Sequence, residues 1–350
     1  MRASIATGAT PLDLESVLRR RGVDASVLVP PSPLVLAWRL ARKAARSSVP
    51  AKMVARAGFE RAWGLHAASR ILSEQPDLVI ADLATARALE GRRTVDVLVL
   101  TRGTTDALHD ALDAEAERSP ELRAHLTNFR ASSDERATER RLVASAGRVL
   151  ASSRWIGDSA SAAGARDVRI VPPALREEGG AARASCGPGP LRVLVAGVLI
   201  GRHGARPMLD AARALGRAVE VTFAGRIADD RAAIARWAGH FRLANAPTFE
   251  RALDDADVLV APWIIDGRSR EVDVALSRGV PVVGTSAAGV DADTHGALRV
   301  DAGSGAALVD ALGALASGDV RAHLASETAR SRASRSDAAT LARTTAALFD

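Results

Sequence analysis

The 350-residue sequence has no tyrosine and a single cysteine, Cys186. One cysteine excludes an internal disulfide and a cysteine-rich zinc site, and we interpret it as an incidental thiol rather than a nucleophile. No apolar run reaches the roughly 18 residues of a membrane-spanning helix, and the first residues lack the apolar stretch of a signal peptide. We therefore expect a cytoplasmic protein without a transmembrane segment, at most peripheral on the inner face of a membrane.

Lysine and aromatic residues are also scarce. Lys43 and Lys52 are the only lysines among 47 basic residues, and aromatic residues make up 3% of the chain. The formal net charge is +6, because 41 acidic residues are interleaved with the arginines. Nucleic-acid surfaces combine clustered positive charge with stacking aromatic rings. The composition gives no support to a nucleic-acid partner, and we expect none.

Short apolar runs alternate with arginine- and alanine-rich stretches of helical periodicity. Most runs are continuously apolar, as in parallel strands that are covered on both faces. The alternation predicts an α/β protein with doubly wound parallel sheets. The predicted strands are Ala25–Val29, Asp77–Ala81, Thr94–Leu100, Arg148–Ala151, Arg169–Val171, Arg192–Ala196, Glu220–Ala224, Arg242–Ala244, Val258–Ala261 and Pro281–Gly284.

Residues 173–190 are rich in Pro, Gly and small side chains and show no apolar period, which predicts an interdomain linker. We expect one domain over 1–172 and a second over 191–332, in keeping with about 150 residues per domain. The final helical stretch, about 333–350, fits either domain by its sequence alone. Ligands of such sheets bind beyond the carboxyl ends of the strands.

The first candidate loop follows the predicted strand that ends at Ala196, and it contains Gly197 and the turn Arg202-His203-Gly204. The glycines permit a tight turn, and the N-terminus of the next helix offers free N–H groups to an anion. The guanidinium of Arg202 matches phosphate geometry, and His203 adds a second donor. The alternative is an ordinary turn with a solvated arginine.

The second candidate loop carries Asp266-Gly267, before a helix predicted from about Ser269 to Arg278. Carboxylates here can accept hydrogen bonds from sugar hydroxyls, and the helix N-terminus can hold phosphate. The alternative is that Asp266, Glu271 and Asp273 only complement the helix dipole.

The third candidate loop, Thr101–Thr105, follows the predicted strand that ends at Leu100. Thr104 and Thr105 alternatively cap the helix that begins near Asp106. We interpret His109 as a partly buried helix residue rather than a base.

The ordered set of motifs resembles glycosyltransferase family 4. The resemblance extends from about Thr94 to Ser317, and its pieces are Ala146–Trp155, Gly164, Val168–Pro173, Gly197 with Arg202-His203-Gly204, Ala256–Pro262, Asp266-Gly267 and Gly279–Val283. It implies a GT-B fold, in which two Rossmann-like domains face a cleft. It further implies an acceptor in the N-terminal domain, a nucleotide sugar in the C-terminal domain, and the last helix packing back on the N-terminal domain.

The resemblance also implies roles for residues, with departures at several of them. Arg202 corresponds to the base that contacts the donor diphosphate, and His203 replaces the family's lysine. The family's two glutamates map onto Asp266 and Val274, so the second carboxylate is lost, and Glu271 is a better substitute than Asp273. The implied donor-side residues are Gly197, Arg202, His203, Gly204, Asp266, Gly267, Glu271 and Val274, with Asp266 and Arg202 as the catalytic pair. The implied acceptor-side residues are Gly8, Arg102, Thr104, Thr105 and Asp106, where Asp106 occupies the position of a histidine.

The resemblance implies a retaining transfer of a sugar to a polysaccharide, lipid-linked or small-molecule acceptor, with no cofactor and no obligatory metal. The departures leave two alternatives open, a catalytically weakened paralogue that acts as a binding or partner subunit, and a sugar-nucleotide epimerase. The basic stretch 38–63, which contains both lysines, fits either contact with an anionic membrane or a solvated helix pair that is broken at Pro50.

Overall fold

The computed structural model describes residues 1–7, 14–44, 49–123, 126, 130–175, 189–199, 201–227, 242–243, 249–316 and 318–349. Gly8, Cys186, the predicted helix at 231–238 and most of the predicted linker lie outside these ranges. The described residues form two six-stranded parallel sheets.

The first sheet has the strand order β2-β1-β3-β4-β5-β6. Its strands are β1 (Arg2–Ala6), β2 (Asp24–Val27), β3 (Leu78–Ala81), β4 (Val97–Leu100), β5 (Arg148–Ala151) and β6 (Val168–Ile170). The helices in this part of the chain are α1 (Leu14–Arg20), α2 (Ser32–Ala44), α3 (Val49–Glu74), α4 (Leu83–Leu89), α5 (Thr105–Arg118), α6 (Ser133–Ser145) and α7 (Arg154–Ala162).

The second sheet has the strand order β12-β11-β10-β7-β8-β9. Its strands are β7 (Leu191–Leu199), β8 (Val219–Ile227), β9 (Arg242–Leu243), β10 (Val258–Ala261), β11 (Val282–Gly284) and β12 (Ala297–Arg299). The accompanying helices are α8 (Ala205–Leu215), α9 (Phe249–Asp254), α10 (Arg270–Ser277), α11 (Gly305–Ala316), α12 (Gly318–Ser334) and α13 (Asp337–Phe349).

The central strands are buried along their whole length. All four residues of β4 and all four of β10 are buried, because helices cover both faces of each sheet. The strand order reverses between β1 and β3 in the first sheet and between β7 and β10 in the second. The fold-class prediction of doubly wound parallel sheets is therefore confirmed.

All ten predicted strands are present, with ends shifted by a few residues. The largest correction concerns β7, which continues to Leu199 because Gly197, Val198 and Leu199 pair with β8. Gly197 therefore lies in a strand and not in the predicted turn. The prediction missed β1, which has one large apolar residue, Ile5, and it missed the three-residue edge strand β12.

Helix α13 lies against the first sheet, although it follows the second in sequence. The Arg148 guanidinium donates a 2.7 Å hydrogen bond to the carbonyl of Ala347. Ala347 also packs in one apolar cluster with Val97 and Leu150. The domain boundaries stay a prediction. None of the described helices combines the length and apolarity that crossing a bilayer requires.

Candidate functional site

Strands β7 and β10 are neighbours, so the loops that follow them meet at one edge of the second sheet. The amide of Ile264 donates to the carbonyl of Arg202 at 2.9 Å, which joins the two loops. Gly204 closes the first loop with φ +76°, and a Cβ there would lie 2.0 Å from the Pro262 carbonyl oxygen. Only glycine fits this conformation and this close approach.

His203 is held by the second loop on two sides. Its Nε2–H donates to Asp266 Oδ2 at 3.1 Å. Its ring stacks on Trp263, with centroids 4.4 Å apart and planes inclined by 11°. The His203 side chain is 10% exposed, so it is fixed in position as well as buried. His203 Nδ1 and Trp263 Nε1 meet no hydrogen-bond partner among the described residues.

Asp266 is ionised in this setting. Burial opposes the charged form, but the hydrogen bond from His203 and the charges of His203, Arg202 and Arg56 outweigh it and lower the pKa of Asp266. Its φ of +102° is unusual for a residue with a side chain, and Gly267 follows with φ +91°. In the turn that these two residues form, the Asp266 carboxylate faces His203.

Arg202 precedes α8, whose N-cap residue, Gly204, makes no side-chain capping bond. Within the described part of the chain, the Nε of Arg202 is buried without a hydrogen-bond partner. The neighbouring Arg206 is already paired with Glu121 and Asp210. Arg202, His203 and the first amides of α8 therefore form a cationic group that can receive a phosphate-type anion.

Helix α10 follows the second loop, and Ser269 caps it by accepting the amide hydrogen of Val272. Glu271 Oε2 accepts from the Ser269 hydroxyl at 2.9 Å. Val274 is 5% exposed and packs in an apolar cluster. The position at which the resemblance implies a second carboxylate thus belongs to the core, and Glu271 lies three residues earlier on the same helix.

Asp273 is engaged by two arginines that the sequence analysis did not identify. The Arg268 guanidinium donates to Asp273 Oδ2, and Arg335 donates to Asp273 Oδ1 at 2.5 Å. Arg335 also donates twice to the Pro173 carbonyl, at 3.1 Å each. Burial lowers the pKa of Arg268 to about 10, although the charge of Asp273 opposes this shift. No local pattern marks Arg335, because its partners Asp273 and Pro173 are distant in sequence. Arg268 lies five positions from Asp273, but the sequence does not show that the loop brings the two side chains together.

Beside the first sheet, the side chain of Glu139 in α6 lies at the N-terminus of α5. Its carboxylate accepts from the amide and the hydroxyl of Thr105, both at 2.6 Å, and lies 3.6 Å from Arg102. Thr104 is the N-cap residue, but its side chain makes no capping bond. Arg136 and Arg140 pair with Asp106. Arg102 is the predicted acceptor-side residue with the most exposed charge here.

His109, also in α5, is buried and accepts a hydrogen bond from the amide of Ala131 at Nε2. Burial, together with the charges of Arg136 and Arg130, lowers the pKa of His109. His109 is therefore a buried helix residue whose imidazole accepts a structural hydrogen bond.

Trp155, at the start of α7, lies between the acceptor-side turn and the second loop. A Cβ on Gly103 would fall 2.1 Å from the Trp155 ring, and a Cβ on Gly267 would fall 3.0 Å from it. The Arg154 amide also donates to Asp291 Oδ2 at 3.2 Å. These contacts join the first sheet to the loops that carry the candidate site.

The structure brings Arg202, His203, Gly204, Asp266 and Gly267 together, and we call these five residues the candidate site. Glu271 and Val274 lie on the adjoining helix, and Arg102, Thr104, Thr105 and Asp106 lie beyond Trp155. Among the described residues, no group of three or more His, Cys, Asp or Glu side chains is arranged to hold a metal ion.

Comparison with known proteins finds solved structures but no sequence relative. No protein-family model and no curated protein matches the chain. The crystal structure of Anabaena Alr3699/HepE in complex with UDP matches with a TM-score of 0.58 and 14% identity, over 99% of this chain and 98% of that one. The lipopolysaccharide outer core galactosyltransferase WaaB matches with a TM-score of 0.59 and 12% identity, over 100% and 99%.

The chain also matches the crystal structure of TarM with a TM-score of 0.59 and 12% identity. This match covers 82% of the chain but only 58% of TarM, which is the longer protein. At such identities the similarity establishes architecture. The chain has the GT-B fold that these solved structures share.

Proposed function

We propose that the chain is a glycosyltransferase that moves a sugar from a nucleotide-sugar donor to an acceptor bound on the side of the first sheet. The observation that carries the proposal is the contact of the two loops beyond β7 and β10. It places Arg202, His203 and the start of α8 beside the Asp266 carboxylate. A cationic group next to a fixed carboxylate suits a diphosphate attached to a sugar.

In the proposed reaction the leaving diphosphate gains negative charge as the bond from the sugar breaks. Arg202, His203 and the amides of α8 stabilise that charge, so the reaction needs no obligatory metal or other cofactor. Asp266 accepts hydrogen bonds from the transferred sugar and orients it. Arg202 and Asp266 are thus the proposed catalytic residues, and Gly204 and Gly267 let the loops that carry them pack closely against their neighbours.

The UDP in the HepE structure supports a nucleoside diphosphate as the donor's leaving group. Glu271 is the proposed contact of the ribose, because Val274 is apolar and Asp273 is held by two arginines. We propose transfer with retention, in which the acceptor hydroxyl attacks on the leaving-group side and passes its proton to the departing phosphate. Arg102, Thr104, Thr105 and Asp106 would line the acceptor side.

The second candidate function is that of a catalytically weakened paralogue that binds a donor or a partner subunit. The burial of Val274 in the core favours it, because this position cannot hold a ribose. A sugar-nucleotide epimerase, which has no acceptor, is the third candidate and lacks a specific observation in its favour.

Thermal unfolding in the presence of UDP-sugars tests donor binding without knowledge of the acceptor. We expect a donor to raise the unfolding temperature of the full chain, and Arg202→Ala to remove the shift. Exposed Arg299→Ala is the matched control and should keep it. Release of free UDP with and without candidate acceptors then separates the functions. Binding without release supports the paralogue, and no binding of any nucleotide sugar contradicts the proposal.

A further inference from the structure

The chain passes twice between the two sheets, and the two passages meet at Arg335. The first passage lies between β6 and β7. The second lies between α12, which packs on α10 and α11, and α13, which packs on α1. The carbonyl of Arg335 accepts the amide hydrogen of Leu175 at 2.7 Å, and its guanidinium donates twice to the carbonyl of Pro173. Arg335 therefore joins the two passages through its backbone and its side chain.

Arg335 also reaches helix α10 of the second sheet. It donates at 2.5 Å to Oδ1 of Asp273, whose Oδ2 accepts a hydrogen bond from Arg268. The three side chains are between 13% and 17% exposed, so water competes little for these charge-assisted hydrogen bonds. Arg268 directly follows Gly267 in the sequence. A continuous chain of ionic contacts thus connects the two passages with the loop that carries Asp266.

The same loop is held on its other side by the turn after β11. The amide of Gly267 donates to the Ala287 carbonyl at 2.6 Å, and the amide of Ser269 donates to the Ala288 carbonyl at 2.9 Å. Asp266 itself has φ +102°, a conformation that persists only where the surrounding structure holds it. A loop that lost one of its two supports would let Asp266 relax toward an ordinary backbone conformation.

The charges make Asp273 the critical member of this chain of contacts. Burial lowers the pKa of Arg268 to about 10, and the charge of Arg335 acts in the same direction, whereas the charge of Asp273 opposes the shift. Without the Asp273 carboxylate, two largely buried guanidinium groups of like charge would face each other. Their repulsion would move Arg268 outward, and the loop would move with it.

We propose that Asp273 and Arg335 are positioning residues of the candidate site. They hold the loop that carries Asp266 in place from the point at which the chain passes between the sheets. Neither belongs to the candidate site, and both act on it through Arg268. Their effect on donor binding rests on the proposed function, whereas the anchoring of the loop does not.

Asp257 offers a matched control for a role in stability alone. Its carboxylate is also held by two arginines, with Arg192 at 2.6 Å and Arg321 at 3.6 Å. Asp257 directly precedes β10, so it lies at the opposite end of that strand from the loop that carries Asp266. If the contacts of Asp273 only stabilised the fold, Asp257→Asn and Asp273→Asn would affect the loop alike.

Amide hydrogen exchange of the full chain, without any ligand, tests the anchoring. We expect Asp273→Asn to speed the exchange of the two loop amides, those of Gly267 and Ser269, about tenfold. Arg335→Gln should have the same effect, and Arg335→Lys, which retains the charge, should stay within about threefold of the wild type. Asp257→Asn should change the exchange less than about twofold. Unchanged exchange in both Asp273→Asn and Arg335→Gln, or an equal rise in Asp257→Asn, overturns the proposal.

Titration with UDP-glucose then measures the effect on the candidate site, at a temperature at which circular dichroism shows every variant folded. We expect the Kd to rise about fivefold in Asp273→Asn and less than about twofold in Asp257→Asn. An equal Kd in Asp273→Asn and the wild type overturns the effect on donor binding. Failure of the wild type to bind any UDP-sugar contradicts the proposed function instead, and the exchange experiment still decides whether Asp273 and Arg335 anchor the loop.

Discussion

The imidazole of His203 and the carboxylate of Asp266 lie 3.1 Å apart, although 63 positions separate them in the sequence. The two residues lie in loops that follow the adjacent strands β7 and β10, and Trp263 stacks on a face of the imidazole. By the resemblance to glycosyltransferase family 4, His203 stands where a lysine is expected, and the hydrogen bond to Asp266 fixes its position. Imidazole and carboxylate therefore act as a unit in the proposed function.

The first prediction concerns Asp266→Asn. The substitution removes the charge that fixes His203 and the proposed acceptor of the sugar's hydrogen bonds. We expect sugar transfer to fall about 100-fold, with little effect on the unfolding temperature. Steady-state release of UDP in the presence of acceptor measures the change. Asp24→Asn, at an exposed position of β2, should retain full turnover; unchanged turnover in Asp266→Asn itself would remove Asp266 from the mechanism.

The second prediction concerns Gly204→Ala. The new Cβ would meet the Pro262 carbonyl at 2.0 Å and would also force alanine into φ +76°. We expect a loss of about 2 kcal/mol or more in unfolding free energy and weaker donor binding. Gly22→Ala is the control that measures only the cost of placing alanine in a left-handed backbone conformation. Gly22 has φ +70°, and nothing lies within 4 Å of the new Cβ. This variant should cost about 1 kcal/mol in urea unfolding. Equal losses of unfolding free energy in the two variants would show that the two loops are not tightly packed at Gly204.

The third prediction concerns the pairing of Asp273 with Arg268 and Arg335. Asp273→Asn leaves two half-buried guanidinium groups without their carboxylate, so we expect a loss of about 2 kcal/mol in unfolding free energy. Arg19→Gln breaks an exposed pair with Glu15 and should cost less than about 1 kcal/mol. Chemical denaturation compares them. If Asp273→Asn proved as mild as Arg19→Gln, the buried network would contribute nothing to stability.

The fourth prediction is a pH dependence at Asp291. Burial, reinforced by the charge of Asp293, raises the pKa of Asp291 above its usual value of 3.8, although the hydrogen bond from the Arg154 amide opposes the shift. Because the folded state favours the protonated form, stability falls as the pH rises from about 3.8 through the raised pKa. Asp291→Asn removes this titration and should flatten the decline. Urea unfolding between pH 4 and 7 tests this, with Asp24→Asn expected to keep the wild-type slope.

Much of the fold could be predicted from local sequence. The runs Val97–Leu100 and Val258–Ala261 are fully apolar, and the structure buries both as central strands. Strand β1 was not predicted because all its residues except Ile5 are small or polar, so the sequence shows no apolar run there. The end of β7 was misplaced because pairing with β8 keeps Gly197 extended, whereas glycine by itself suggests a turn.

The candidate site was predicted in its parts but not in its contacts. The sequence identified the turn at Arg202-His203-Gly204 and the loop at Asp266-Gly267 as separate motifs. It also marked the loss of a carboxylate at Val274. It gave no sign of the hydrogen bond between His203 and Asp266, or of the arginines that hold Asp273.

The sequence by itself determined the alternation of strands and helices and the burial of the central strands. These depend on the spacing of residues that are neighbours in the chain. Only the tertiary structure decided which loops meet. It set β7 beside β10, placed Trp155 between Gly103 and Gly267, and tied Arg335 to Pro173. Such contacts depend on sheet order and on packing between side chains that are far apart in the sequence, so no local periodicity predicts them.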